Sequence, residues 1–172
     1  PASVLATHLT ALIKSHAHEL LGRQEIQNIV NYIKEQNSAV VEELIPELLS
    51  LGDLQRVLAN LLKEQVSIRD IITIMETLAD YSKLTKDVDV LTEYVRQALK
   101  RQISKQYSGD KQTMSVLTLD PSLEEKLRES IQHSEFGSYL ALDPDIAQPM
   151  IDRLSRQYEE LSQKGITPIV IC

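Results

Sequence analysis

The stretch Val66–Arg101, VSIRDIITIMETLADYSKLTKDVDVLTEYVRQALKR, reads as two amphipathic helices with their start and stop signals in place. Ile68, Ile71, Ile72, Met75, Leu78 and Ala79 recur at helical spacing and make one apolar stripe, with Arg69, Asp70, Glu76 and Asp80 off it. Ser67, followed three residues later by Asp70, predicts a capping box that satisfies orphan N–H groups of the first turn. After Asp87 a second helix turns Leu91, Tyr94, Val95, Ala98, Leu99 and Ile103 inward. Its last turns collect Arg96, Lys100, Arg101 and Lys105, where cations complement the helix dipole. Nothing in this stretch stands out as a catalytic group; it is a packing and assembly surface.

Working outward, Ser50 and Asp53 repeat the cap pattern ahead of Leu54, Val57, Leu58, Leu61 and Leu62. Towards the N-terminus, helices are expected over about Ser3–Leu21, stopped by Gly22, and over a segment burying Ile26, Ile29, Val30 and Ile33. A shorter segment with Val40, Val41, Leu44 and Ile45 is interrupted by Pro46, which lacks an N–H and clashes with the preceding turn. Three longer helices follow, at about Leu51–Glu64, Ile68–Lys83 and Val88–Gln106. Short connections imply mostly antiparallel neighbours. Beyond the polar segment Ser108–Gln112 the pattern changes. Met114–Leu119 reads as a strand, Pro121–Gln132 as a helix, Ser138–Leu142 as a strand, Pro144–Gln163 as a helix ended by Gly165, and Pro168–Cys172 as a third strand. The expected fold is mainly α with a small α/β part. A helical subdomain (residues 1–107) and a linker (108–112) precede an incomplete β-α-β-α-β subdomain (113–172), its small sheet covered by helices.

Composition narrows the function classes. A net charge of −7 argues against non-specific nucleic-acid binding, which needs a basic surface. Aromatic content is 4% with no Trp, so the core must be aliphatic. No run approaches the roughly 18 consecutive apolar residues of a membrane span, and no signal peptide is evident. The single Cys172 excludes an intrachain disulfide and fits a reducing compartment. A start at Pro1 and a stop at Cys172 inside a strand-like run suggest a fragment of a longer protein.

Each candidate for chemistry has a plainer explanation. Leu117-Thr118-Leu119-Asp120-Pro121 is echoed by Leu140-Ala141-Leu142-Asp143-Pro144, and in both the Asp is placed to cap a helix whose first residue is Pro. A catalytic use of Asp120 or Asp143 would need a cleft and a perturbed carboxylate. His16 and His18 lie two apart, so one helix cannot turn both to a metal. His16 and His8 lie near the stripe of Leu5, Leu9, Leu12 and Leu20 and are expected as hydrogen-bonded histidines at the edge of the core. There is no Gly-rich phosphate loop and no G-x-S-x-G elbow, and Cys172 has no basic neighbour in sequence. Leu54–Glu64, Gln65-Val66-Ser67 and Ile68–Asp80 have the lengths of a helix-turn-helix, the basis of an alternative reading as a stand-alone DNA-binding regulator. Its recognition helix would set Arg69 against Asp70, Glu76 and Asp80, a net negative charge facing phosphate.

Six ordered segments carry a resemblance: LLGRQEIQ (Leu20–Gln27), VEELIP (Val41–Pro46), LLSLG (Leu48–Gly52), VSIRD (Val66–Asp70), ETLADY (Glu76–Tyr81) and LTEYVRQAL (Leu91–Leu99). Together they resemble the export-gate family of bacterial flagellar and type III secretion systems (the flagellar/hypersensitivity/invasion protein export pore family), with the flagellar branch favoured. The resemblance implies a parent integral membrane protein, anchored through an N-terminal region, with its large cytoplasmic part on the cytoplasmic side of the bacterial inner membrane. Within that part, this chain would be the helical subdomain and most of an α/β one. It implies a non-catalytic module that forms a nine-membered ring with its own copies, receives the stalk of the export ATPase and other export-apparatus proteins, and uses no cofactor, metal or nucleic acid. The family's docking groove for chaperones and cargo would lie outside this stretch. The residues expected at subunit contacts are polar ones within the motifs: Arg23, Glu25, Arg69, Asp70, Glu93 and Arg96.

Overall fold

The computed structural model describes residues 2–108, 114–134, 137–166 and 168–171, without the side chains of residues 133, 134, 137 and 138. The Ser108–Gln112 linker lies almost wholly outside them, as does Cys172. The chain divides into two compact units, Pro1–Ser104 and Lys105–Cys172. It is mainly helical with a small α/β part, as the periodicity predicts.

In the first unit, α1 (Ala2–Ser15) leads through a 3-10 turn (Ala17–Leu20) into α2 (Arg23–Gln36), α3 (Ser38–Leu44), α4 (Leu51–Lys63), α5 (Ile71–Tyr81), α6 (Val88–Ala98) and the start of α7 (Lys100–Ser108). α3 ends two residues before Pro46, and the Ile45–Pro46 peptide is cis. α4 packs on α2 and α6, and α5 on α3 and α6. Every buried apolar residue among the described residues lies between Ile26 and Leu99. Ile26, Leu44, Leu54, Leu58, Leu61, Ile74, Met75, Leu78 and Leu91 are the large fully buried ones, so the core is aliphatic as composition demands. Tyr81 stacks on Tyr94 beside it, with ring centroids 3.9 Å apart.

Several expectations change here. The Ser50 cap forms: its hydroxyl oxygen accepts from the Asp53 N–H (3.1 Å) and its O–H meets the Asp53 carboxylate (2.6 Å). The Ser67 cap does not, because α5 begins at Ile71 with Asp70 as its cap. The cause is the end of α4. Gln65 N–H bonds to Leu62 C=O and Val66 N–H to Leu61 C=O, while Gln65 adopts φ 59°. This Schellman motif buries Val66 and leads residues 67–70 away in a non-helical path. Gln102 Nε2 then donates to the Ser67 carbonyl (2.8 Å), holding the path from α7. The expected single helix over Val88–Gln106 breaks at Leu99, and Ala98 is exposed rather than inward. α1 also departs from expectation. It buries nothing, and Leu5, Leu9, Leu12 and Leu20 are all exposed.

In the second unit, β1 (Val116–Thr118), α8 (Pro121–Glu129), β2 (Ile131–Ser134), β3 (Gly137–Leu140), α9 (Pro144–Gln163) and β4 (Ile169–Ile171) follow α7. β1 pairs with β4 in parallel, Val116 against Ile169 and Thr118 against Ile171. β2 pairs with β3 in an antiparallel hairpin. The expected three-strand sheet is therefore two separate two-stranded sheets. The difference arises at Ile131–Ser134, whose first two residues are expected as the end of the helix but which pairs with the following strand. The hairpin is local, Ser134 pairing with Gly137, and its hydrogen bonds to the next strand replace the helical ones. Asp120 and Asp143 cap α8 and α9, each accepting from the N–H two residues on at 2.9 Å, with Pro at the first turn.

Candidate functional site

The six candidate contact residues fall at three places in the first unit. At the α4–α6 edge, Arg96 joins two helices. Its Nη2 meets Glu64 Oε1 at 2.9 Å, at the end of α4, and its Nη1 pairs with Glu93 one turn earlier in α6. Beneath, Asn60 Nδ2 reaches Asp89 Oδ1 (3.4 Å) and Thr92 Oγ1 (3.5 Å), and the buried Thr92 hydroxyl donates to Val88 C=O (2.7 Å). Asn60, Lys63, Glu64, Asp89, Thr92 and Arg96 line an open cleft of about 240 Å³ there. Glu93 and Arg96 are thus brought together, and Glu64, 32 residues away in sequence, joins them. No local pattern marks Glu64, because its partner comes from another helix.

At the start of α5, Asp70 Oδ1 accepts from Thr73 N–H (3.4 Å). The adjacent Arg69 is exposed and forms no ion pair among the described residues. At the start of α2, the Arg23 guanidinium lies over Gly52 in the first turn of α4, where a Cβ would collide with it. The Glu25 carboxylate folds back over Gly22, the N-cap of α2, and Arg23 and Glu25, two apart in sequence, form no ion pair. The arrangement ties Glu93, Arg96 and Asp70 into the subunit and leaves the Arg23 and Arg69 cations without an acidic partner among the described residues.

Two further ties escape sequence reading. Lys83 Nζ meets Glu43 Oε1 at 2.7 Å, which raises the lysine's pKa, first through the hydrogen bond and then through the charge. Lys86 Nζ donates to the Leu48 carbonyl. Both bridge the α5–α6 turn to the α3 region, about 40 residues earlier.

The histidines form a small cluster of their own. His16 Nδ1 is 2.8 Å and His18 Nε2 3.8 Å from Glu19 Oε1, and the His16 hydrogen bond, then its charge, lowers the Glu19 pKa. His16 is exposed rather than at the edge of the core, because α1 has no core to border. Among the described residues no group of three His, Cys, Asp or Glu is placed to hold a metal ion. For the helix-turn-helix alternative, the connection is residues 64–70 instead of three residues, and α5 is largely buried. Its fully exposed positions are Glu76 and Asp80, so the face it presents is acidic and repels phosphate. Among the described residues no helix is long and apolar enough to cross a membrane.

The similarities to known proteins run the length of the chain. A flagellar biosynthesis protein, FlhA, of Bacillus subtilis is 48% identical over 172 residues, which is all of this chain and 25% of that protein. A chain in the solved Chlamydia pneumoniae CdsV and CdsO complex matches at a TM-score of 0.84 and 35% identity, covering 91% of this chain and 46% of its own. The cryo-EM structure of nonameric EPEC SctV-C matches at a TM-score of 0.80 and 32% identity, covering 94% of this chain and 56% of its own. The flagellar relative is more similar than either structure, in keeping with the flagellar branch. The chain spans about a quarter of the length of the curated relatives it matches. The family model described as the FHIPEP family matches residues 1–172, and with these identities the chain belongs to that family.

Proposed function

We propose that this chain is a non-catalytic assembly module in the cytoplasmic part of a bacterial flagellar or type III protein-export gate, at the inner membrane. It contributes contacts between copies in a ring and a docking surface for export-apparatus proteins. The observation that carries this reading is the likeness over 94% of the chain to SctV-C, a relative solved as a nonamer. A relative solved with CdsO supports docking of an export-apparatus partner, and the stalk of the export ATPase is the partner we assign. We assign the ring contacts to the helical subdomain, residues 1–107, as the family resemblance implies. Of the six candidate contacts, Arg23 and Arg69 act in trans, since their cations have no acidic partner among the described residues. Glu25, Asp70, Glu93 and Arg96 contribute to the contacts from their own places at the starts of α2 and α5 and at the α4–α6 edge.

Charge reversal at Arg69 tests the reading. Arg69→Glu is expected to abolish assembly of copies held at high density on a membrane while leaving the melting temperature unchanged. Equal loss of stability places Arg69 in an intramolecular role, and no effect on either removes it from the contact set.

A further inference from the structure

Leu84, in the turn between α5 and α6, is the most exposed large apolar side chain among the described residues, at 77%. We propose that it is the apolar anchor by which one copy of this chain grips the next. The proposal deepens the assembly reading and rests on it.

The turn is held from both sides, and the leucine still points to solvent. Ser82 and Val88 are buried at its two ends. The N–H groups of Leu84 and Thr85 both bond to the Tyr81 carbonyl (2.9 and 3.1 Å), and Asp87 N–H donates to Thr85 Oγ1 (3.1 Å). Lys83 is tied to Glu43 and Lys86 to the Leu48 carbonyl, so the residues flanking Leu84 are pinned to the α3 region. A rigid turn loses little freedom when its tip is buried, and that preorganisation favours binding. An apolar tip with a polar rim is also the anatomy of an interface anchor, in which the rim excludes water from the centre. The helical core offers no internal reason for the exposure. Between Ile26 and Leu99 the other exposed large apolar residues are Tyr32, which carries a hydroxyl, and Val90 at 39%.

A second copy is the occupant because a relative of this fold is solved as a nonamer. A ring is built from heterologous contacts, in which a projecting patch on one copy meets a different patch on the next. Copies of a chain with net charge −7 repel one another. Around this turn Lys83 is paired with Glu43, and Lys86 stands among Asp80, Asp87 and Asp89, so the apolar side chain of Leu84 and not a net charge supplies the grip.

The test places His-tagged chain at high density on vesicles containing a nickel-chelating lipid, which raises the effective concentration as a ring does. A photo-crosslinking amino acid replaces Leu84 in one sample and Arg69 in another. The expected result is a covalent ladder from position 84, with the linked peptides confined to one surface of the neighbour. In a lysine-reactive crosslinking assay, Leu84→Asp lowers ladder yield on the order of tenfold or more at unchanged melting temperature, and Leu84→Ile retains it. A ladder from position 69 but none from 84, links scattered over the whole neighbour, or a Leu84→Asp chain that assembles normally overturns the Leu84 assignment and leaves the assembly reading standing. No ladder from either position and none from the unsubstituted chain in the lysine-reactive assay overturns the assembly reading, and Leu84 with it.

Discussion

Leu58 and Leu154 sit mid-helix on the apolar faces of α4 and α9. Leu58 is fully buried, whereas Leu154 remains partly exposed although α9, at 20 residues, is longer than α4, at 13. Both helices start from a side-chain cap and end in a Schellman turn. What separates them is the layers around them. α4 is enclosed by α2, α6 and the 3-10 turn, and Gln55 Nε2 reaches the Leu21 carbonyl at the seam. In the second unit no described residue is buried, and Val116, Val170 and Ile171 of the parallel β1–β4 pair stay exposed. Parallel sheets ordinarily have both faces covered. Amphipathic helices and good caps therefore do not make a core; a second packed layer does.

Core truncation gives the largest expected difference between the units. Leu58→Ala should destabilise by about 2–5 kcal/mol in urea unfolding, because it opens a cavity in a closed core. Leu154→Ala should lose about 1 kcal/mol, because its side chain is only partly removed from water and leaves no closed cavity behind. Equal losses would break the comparison and reveal a core in the second unit.

Cap removal should act about equally in both units at the helix itself. Ser50→Ala and Asp120→Ala are each expected to cost about 1 kcal/mol. Hydrogen exchange separates their reach. The Ser50 change should speed exchange throughout the first unit, and the Asp120 change only in α8 and its surroundings. A global effect of Asp120→Ala would mean that the second unit unfolds as cooperatively as the first.

The two Schellman turns sharpen the comparison at constant geometry. Gly165, at φ 70°, ends α9, and Gln65, at φ 59°, ends α4. Gly165→Ala should destabilise by about 1 kcal/mol through left-handed backbone strain. Gln65→Gly should relieve the same strain and stabilise by about 0.5 kcal/mol, the gain reduced by lost side-chain interactions. Paired thermal melts check the opposite signs.

Acid gives the smallest effect. Burial alone would raise the Asp53 pKa, but the Ser50 hydroxyl and the Arg56 guanidinium outweigh it and hold the carboxyl below its ordinary value. The Ser122 hydroxyl and then its N–H lower Asp120 in the same sense. Both folded pKa values are depressed, so the stability they contribute is present above the ordinary aspartate value of about 3.9 and is lost as pH falls through the lower folded values. Carboxyl titration by NMR should find both below that value and should show Asp53 rising in Ser50→Ala.

Much of the helical unit was legible because its signals are local. The stripes of α2, α4 and α6 and the cap at Ser50 need only near neighbours along the chain, as do the caps at Asp120 and Asp143 in the second unit. The Ser67 cap failed because a distant glutamine, Gln102, and the buried Val66 hold that segment out of the helix. At the candidate site, the Glu93–Arg96 pair is visible one helical turn apart, but Glu64 is not, since only packing brings α4 and α6 together. Leu84 looks like an ordinary turn residue until the ties on either side of it are seen.

The sequence by itself determined the helical class, the aliphatic core, the capping carboxylates and the family, all of which depend on residue type and short-range spacing. Tertiary structure alone decided which apolar stripes are buried, which charges are spent within the subunit, and which strand pairs with which. The burial of the stripes, the Arg96–Glu64 and Lys83–Glu43 pairs and the β1–β4 pairing depend on contacts between segments about 30 to 50 residues apart, and helical or strand periodicity carries no information about its partner.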